Sequence, residues 1–133
     1  MSFTAPIGFE SLKGKEKKAD GECVRLLQEI IHNMPVTAKW RAGAKVKGNL
    51  NIPKGTAIAT FFNGRYPSAR HGNHAALYVG QDEKGIWVID QFNDERKKFQ
   101  KINKRPLRFG APYSSNNGDL FYVIETETSL AHK

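Results

Sequence analysis

The chain has 133 residues, of which 39% are hydrophobic and 11% aromatic, enough apolar material for one domain with its own core. Its formal net charge of +8 favours anionic partners, namely nucleic acid, an anionic cell-envelope polymer or an acidic protein, without choosing among them. A single cysteine excludes an internal disulfide and a zinc site made of several cysteines. We therefore expect residues 1–133 to form a single domain.

The N-terminal segment, residues 1–19, is rich in glycine and lysine, and we expect it to be a loosely packed lead-in to a core of about residues 20–127. It contains no apolar run long enough for a signal peptide. No stretch of about 18 consecutive apolar residues occurs anywhere, so we expect no membrane span. Export of such a protein would need a route that requires no cleaved signal.

The stretch "KKADGECVRLLQEII" contains the only cysteine, Cys23, at the start of a predicted helix. Either Asp20 or Gly21 is the predicted N-cap. Apolar residues at helical spacing continue to Met34, and Pro35 disfavours helix at the residue before it, so the helix should end there.

A cysteine in the first turn of a helix lies in the partial positive charge of the helix dipole, which favours the thiolate. The unpaired N–H groups of that turn can also hold an oxyanion. The carboxylate of Glu22 opposes a second negative charge at Cys23. Lone cysteines at helix starts are more often structural than reactive, so a nucleophilic role requires a base elsewhere in the chain.

Beyond the helix the sequence predicts mainly strands. The pattern over residues 36–50 is mixed, with Trp40 anchoring a short helix or a turn, and residues 56–62 form a buried strand. After a polar loop at residues 63–73, "HAALYVG" and "GIWVIDQF" flank "QDEK" as a hairpin, and residues 120–126 form a last strand. A helix followed by a run of strands predicts an α+β fold with an antiparallel sheet.

Two histidines are candidates for the base. His74 opens the strand "HAALYVG" and is held by a rigid element, whereas His71 lies in the loop "ARHGN" and is the less favoured candidate. The other two histidines lie far along the cysteine helix and in the C-terminal tail. Ala76 shares a strand face with His74, and its small size is expected to let the helix approach the sheet there.

The returning strand of the hairpin offers an acceptor that would orient the imidazole. Asp90 faces His74 if the numbers of paired residues sum to 164, and Gln91 faces it if they sum to 165. A carboxylate beside the apolar run "IWVI" requires a partner. We therefore predict Asp90 as the third member of the site, with Gln91 as the alternative.

In this order and spacing, "GEC" at a helix start, "HAALYVG" on a strand and "WVIDQF" on the next strand resemble the papain-like peptidoglycan amidases, which include NlpC-type endopeptidases and CHAP amidases. "LNIPKGTAIATF" resembles the turn and strand that precede the histidine segment in those proteins. The resemblance spans roughly residues 20–93. Within this family, the chain is most similar to the small type VI secretion amidase effectors, which carry no signal peptide.

The resemblance implies a papain-like NlpC/CHAP-type core, with an N-terminal catalytic helix packed on the antiparallel sheet. It implies Cys23 as nucleophile, His74 as general base and acid, and Asp90 as the residue that orients the histidine, with no metal and no cofactor. Glu22 departs from relatives that carry an amide or a small residue there, so no side chain is assigned to the oxyanion hole.

The activity that the resemblance implies is cleavage of amide bonds in murein peptides by an antibacterial effector. Such an effector is made in the cytoplasm without a signal peptide and is delivered by a secretion system to the periplasm of target bacteria. A cognate immunity protein is the implied partner in the producing cell. Five aromatic residues are candidates for a substrate groove, although core positions are commoner for such residues: Trp40, Tyr66, Trp87, Phe92 and Tyr113.

Two other functions stay open on the sequence. Residues 94–108 carry seven lysines and arginines against two acids, and with Phe99 and Phe109 interleaved they suggest a nucleic-acid-binding module, which we consider less favoured. The other alternative is a catalytically inert papain-like binding domain, in which the thiol of Cys23 would keep the pKa of a free cysteine.

Overall fold

The computed structural model describes residues 2–67, 72–93 and 100–131. Short 3₁₀ turns accompany the main elements at Phe9–Leu12, Thr37–Lys39, Ser114–Asn116 and Gly118–Leu120. The helices and strands of the described residues are α1 Cys23–Ile30, β1 Arg41–Lys45, β2 Ala57–Thr60, β3 Ala75–Gln81, β4 Gly85–Asp90, β5 Asn103–Arg108, β6 Phe121–Glu125 and α2 Glu127–Ala131.

These strands form one antiparallel sheet in the order β1-β6-β2-β3-β4-β5, which confirms the predicted α+β class. The two edge strands, β1 and β5, were not predicted. Both are rich in lysine and arginine, and β5 also contains Pro106, so neither shows the apolar alternation of a half-buried strand. Cations and proline are typical of edge strands, where they discourage pairing with another chain.

Helix α1 packs on the sheet mainly against β3. Leu26 and Leu27 have no exposed surface, and they share a buried cluster with Ala75, whose small side chain lets the helix approach closely. The sequence predicted Ala76 in this position, but Ala76 belongs to the cluster on the other face of the sheet, with Tyr78. The expectation placed the helix on the wrong face of the strand.

The ends of α1 differ from the predicted ones. The N-cap is Glu22, rather than either of the two residues before it, and Cys23 is the first helical residue. The helix ends at Ile30, rather than near Met34. Asn33 adopts a left-handed backbone with φ of 64°, so the chain has left the helix before proline has any effect.

Residues 2–19 pack against the sheet, whereas the sequence predicted a loosely packed segment. Ala5 and Phe9 are 7% and 8% exposed and belong to the same buried cluster as α1. The backbone N–H of Ala5 donates to the carbonyl of Gly55 at 2.8 Å. Two apolar anchors in a segment rich in glycine and lysine produce no periodic pattern, which is why the sequence did not reveal this packing.

Replacing Phe9 by alanine is expected to lower the free energy of unfolding by about 3 kcal/mol, because a buried aromatic ring is lost and a cavity remains. Ile7→Ala is the matched control, since Ile7 is fully exposed, and its effect is expected to stay within about 0.5 kcal/mol. Urea denaturation measures both changes. Equal midpoints for the two variants would show that the segment contributes no packing.

Candidate active site

The structure brings Cys23, His74 and Asp90 together from three elements. Cys23 is the first residue of α1, His74 immediately precedes β3, and Asp90 is the last residue of β4. His74 Nε2 lies 2.7 Å from Asp90 Oδ2, and the two side chains are 5% and 0% exposed. Thr60 holds the histidine backbone, because its Oγ1 accepts from the His74 N–H at 3.0 Å.

The register of the hairpin is neither of the two that the sequence suggested. Leu77 pairs with Ile89, so the numbers of paired residues sum to 166 near the site. A β-bulge then shifts the pairing, and Gly80 faces Trp87. His74 therefore reaches Asp90 along the diagonal between the strands, on the same face of the sheet.

Gln91, the alternative to Asp90, is fully buried but makes its contacts with the segment before α1. Its Oε1 accepts from the N–H of Lys18 at 2.7 Å, and its Nε2 donates to the carbonyls of Lys18 at 3.0 Å and Glu22 at 2.8 Å. These bonds use both donors of the amide. Gln91 therefore anchors the start of α1, next to Cys23, and does not orient the histidine.

The thiol of Cys23 lies in a site that favours its ionised form. Burial opposes ionisation, but the side chain of His74, the backbone N–H of Ala75 and the Tyr66 hydroxyl bring the pKa of Cys23 below its usual value. Because Nε2 of His74 is bonded to Asp90, Nδ1 is the ring nitrogen available to the sulfur.

The imidazole of His74 is stabilised in its protonated form. Burial lowers the pKa of His74, but the hydrogen bond and charge of Asp90, together with Cys23, raise it to about 9. Burial also opposes the charge of Asp90, yet His74 and Arg105 keep the pKa of that carboxyl below its usual value. These shifts all favour the charged forms, so the three groups are arranged to stabilise a chain of thiolate, imidazolium and carboxylate.

Tyr66 lies beside the thiol, a position that the sequence did not predict. Its hydroxyl lies 3.8 Å from Cys23 Sγ. Edge-on ring contacts with Trp40 and Phe61, at centroid distances of 4.9 and 6.4 Å, hold the phenol in place. Tyr66 was only one of five groove candidates, because no local pattern links a loop residue to a thiol 43 positions away.

Arg105 is another site residue that the sequence did not predict. Its Nε donates to Asp90 Oδ2 at 2.8 Å, while Asn103 Nδ2 donates to Oδ1 at 3.4 Å. Both lie on β5, whose Asn103 pairs directly with Asp90. From the sequence, this region was interpreted only as a basic run. Recognising it as a strand paired with β4 would have placed Arg105 near Asp90.

Other candidates take different positions. His71 and residues 94–99 of the basic run lie outside the described residues. Trp40 is fully buried, and Tyr113, which is 73% exposed, lines an open groove with Gly72 and residues 112–116.

Within residues 2–67, 72–93 and 100–131, no cluster of three or more His, Cys, Asp or Glu side chains is arranged to hold a metal ion. The helices in these ranges are also too short or too polar to span a membrane.

A cysteine at a helix start, facing a histidine and an aspartate on neighbouring antiparallel strands, is the arrangement of the papain-like amidase superfamily. Residues 7–124 match the family described as Domesticated amidase effector 2. The chain belongs to this family. The predicted resemblance to papain-like amidases, and to type VI secretion amidase effectors among them, is confirmed.

Relatives and a solved structure agree with this assignment. A type VI secretion amidase effector 2 protein of Salmonella typhi is 41% identical over 113 residues, covering 78% of this chain and 84% of the relative. A Domesticated amidase effector 2 of Ixodes scapularis is 40% identical over 128 residues, covering 93% and 82%. The structure of a Type 6 secretion amidase effector 2 matches with a TM-score of 0.84 at 36% identity, covering 92% of this chain and 94% of that one.

The lowered pKa of Cys23 is directly testable by alkylation, because the chain has no other cysteine. The rate with iodoacetamide is expected to rise with pH at a midpoint below the value of a free thiol, about 8.5. His74→Ala is expected to move this midpoint upward, since it removes the imidazolium. His32→Ala, an exposed histidine, is the control. A midpoint of the unmodified protein equal to that of free cysteine would exclude the ion pair and favour an inert relative.

Proposed function

We propose that this protein is a peptidoglycan amidase that cleaves amide bonds in murein peptides, with Cys23 as nucleophile, His74 as general acid and base, and Asp90 as the residue that orients the histidine. The observation that carries the proposal is the buried 2.7 Å bond from His74 Nε2 to Asp90, which leaves the other ring nitrogen for the thiol. The relatives' names, all amidase effectors and two of them type VI secretion effectors, support the reaction class, and we add the antibacterial setting as part of the proposal.

The first half of the proposed reaction forms an acyl-enzyme. The Cys23 thiolate attacks the carbonyl carbon of the amide, and the oxyanion that forms is held by the free N–H groups of the first turn of α1, including that of Cys23. The His74 imidazolium gives the proton on Nδ1 to the nitrogen of the leaving amine. The C–N bond then breaks, leaving a thioester on Cys23 and a neutral imidazole.

The second half of the reaction restores the enzyme. The neutral imidazole of His74 takes a proton from water, and the resulting hydroxide attacks the thioester carbon. The C–S bond breaks, which releases a carboxylic acid and returns Cys23 to the thiolate beside an imidazolium. Asp90 keeps the ring in one orientation through both halves, because its carboxylate accepts from Nε2 throughout. These steps need no cofactor.

Tyr66 extends the proposed oxyanion site. Burial, followed by the charge of Cys23, raises the pKa of the Tyr66 phenol, so that it stays protonated and acts as a donor. Its hydroxyl lies 3.8 Å from the sulfur, and the oxyanion forms on the carbon that bonds to that sulfur. We therefore assign to Tyr66 the side-chain donor of the oxyanion hole.

The biological setting is part of the same proposal. The net charge of +8 holds the enzyme near an anionic cell wall through long-range attraction. The type VI secretion names of two relatives support delivery into target bacteria, and we propose the periplasm as the destination. An effector of this kind would require a cognate immunity protein in the producing cell. Surface complementarity predicts an acidic face on that partner.

The nucleic-acid alternative loses its main support in the described part of the basic run. Lys101 and Lys104 form ion pairs with glutamates of the N-terminal segment, and Arg105 is bonded to Asp90. These cations are engaged by the protein's own carboxylates, so they do not form a free stripe for a phosphate backbone.

Cys23→Ala and His74→Ala are each expected to abolish release of peptides from purified peptidoglycan, while Asp90→Asn lowers the rate on the order of 10²–10⁴-fold, because the ring loses its charged acceptor. Mass spectrometry of the soluble muropeptides measures the products and identifies the bond that is cut. The exposed His32→Ala variant should retain full activity. Full activity of the Cys23 variant would rule out the mechanism.

Tyr66→Phe is expected to lower kcat by about 10²-fold, with a much smaller change in KM, because the donor acts on charge that develops in the transition state. Tyr78→Phe is the matched control. The hydroxyl of Tyr78 accepts a bond from Gln81 Nε2 at 3.1 Å, and its ring lies in the cluster on the opposite face of the sheet from α1. An unchanged kcat for Tyr66→Phe would show that the phenol only packs beside the thiol.

A further inference from the structure

The guanidinium of Arg105 is fixed beside the His–Asp pair by three contacts. Nε donates to Asp90 Oδ2 at 2.8 Å, the same oxygen that lies 2.7 Å from His74 Nε2. Nη1 donates to Asn116 Oδ1 at 3.0 Å, and the central carbon lies 4.7 Å from the centre of the Phe92 ring. With 17% of the side chain exposed, the group has little freedom to turn toward solvent.

This placement brings two cations close together. Nη2 of Arg105 lies 3.4 Å from Nε2 of His74. Because Nε2 gives its hydrogen to Asp90, it has no lone pair with which to accept a bond from Nη2, and the contact joins two N–H groups. When the ring is protonated the contact is repulsive, and both cations share one carboxylate oxygen. A guanidinium stays charged at any working pH, so this repulsion is present whenever the His74 ring is protonated.

We infer that Arg105 is a positioning residue that limits the stability of the His74 imidazolium, and thereby sets the pH at which the ring gives up its proton. The inference rests on the proposed function, because it concerns the proton that His74 transfers in the amidase reaction. Arg105 acts through Asp90 and His74, at the side of the ring away from the thiol.

The proposed reaction requires such a limit because the proton of His74 moves twice in each turnover. A buried carboxylate alone would hold the imidazolium so firmly that protonation of the leaving amine becomes unfavourable. General acid–base catalysis is most efficient when the pKa of the catalytic group lies near the working pH. The positive charge of Arg105 offsets part of the negative charge of Asp90 and so weakens its attraction for the imidazolium. The ring can then release its proton while Asp90 still orients it.

The charges around the ring identify Arg105 as the group to change. From the described elements, the titratable or charged groups that face the His74 ring are Cys23 of α1, Asp90 of β4 and Arg105 of β5. Tyr66 acts on the ring only through the thiol. Changing Cys23 would remove the proposed nucleophile and changing Asp90 would remove the acceptor that orients the ring, whereas changing Arg105 leaves Cys23, His74 and Asp90 in place.

The test compares Arg105→Met and Arg105→Lys with Arg108→Met, which removes the same charge from an exposed position on the same strand. The first readout is the alkaline transition in the pH profile of Cys23 alkylation by iodoacetamide, where the imidazolium loses its proton. Arg105→Met is expected to move this transition upward by roughly one pH unit, because the repulsion is gone. Arg105→Lys keeps a cation and is expected to shift it less, and Arg108→Met not at all.

The second readout is kcat for release of peptides from murein. Both Arg105 variants are expected to lose at least about tenfold in kcat. Neither methionine nor lysine can reproduce the planar guanidinium, which donates to Asp90 through Nε and to Asn116 through Nη1. Arg108→Met should retain the rate of the unmodified protein. The combination of a shifted transition with a lowered kcat is the signature of the inferred role.

Several results would overturn the inference. An unshifted or lowered alkaline transition in a folded Arg105→Met protein would do so, whatever its kcat. An equal shift in Arg108→Met would assign the effect to net charge. Should Arg105→Met fail to unfold cooperatively, Arg105→Lys decides the question, with an unchanged kcat counting against the role. Absence of peptide release by the unmodified protein would refute the proposed function alone, because the alkylation profile needs no murein.

Discussion

A carboxylate with no exposed surface is the constraint on which the site depends. A buried, unpartnered charge costs on the order of several kcal/mol, so the fold must supply Asp90 with donors. It does so from two directions, with the His74 ring on one side and Arg105 on the other. Because one ring nitrogen serves Asp90, the other serves the thiol of Cys23, and the orientation of the imidazole follows from the need to satisfy the acid.

The antiparallel sheet makes this convergence possible. Strands β3, β4 and β5 lie side by side, so that residues distant in sequence become neighbours across the ladder. The thiol comes from outside the sheet, on α1, and its position depends on how the start of that helix is held. Gln91, the residue after Asp90, binds the carbonyl of Glu22 and both backbone groups of Lys18. One short stretch of chain thus positions both Asp90 and the helix that carries the proposed nucleophile.

Much of this arrangement was predictable because it depends on local patterns. The start of α1 beside Cys23, the buried strand β2 and the β3–β4 hairpin each carry a periodic or turn signal in the sequence. The register was not predictable from loop length, since a bulge in β3 between Tyr78 and Gly80 shifts the pairing by one residue. The packing of residues 2–19 was missed for a related reason, because two anchors such as Ala5 and Phe9 show no period.

The sequence by itself determined which residue types were available and where each lay in its own element: one thiol at a helix start, a histidine at a strand start, and an acid at the end of the next strand. Only the tertiary structure decided that Asp90 contacts the histidine and that Gln91 does not. It alone placed Tyr66 near the sulfur and Arg105 beside the acid. The physical reason is that these contacts join residues far apart in the chain. Their geometry follows from register, strand order and burial, which a local sequence pattern does not determine.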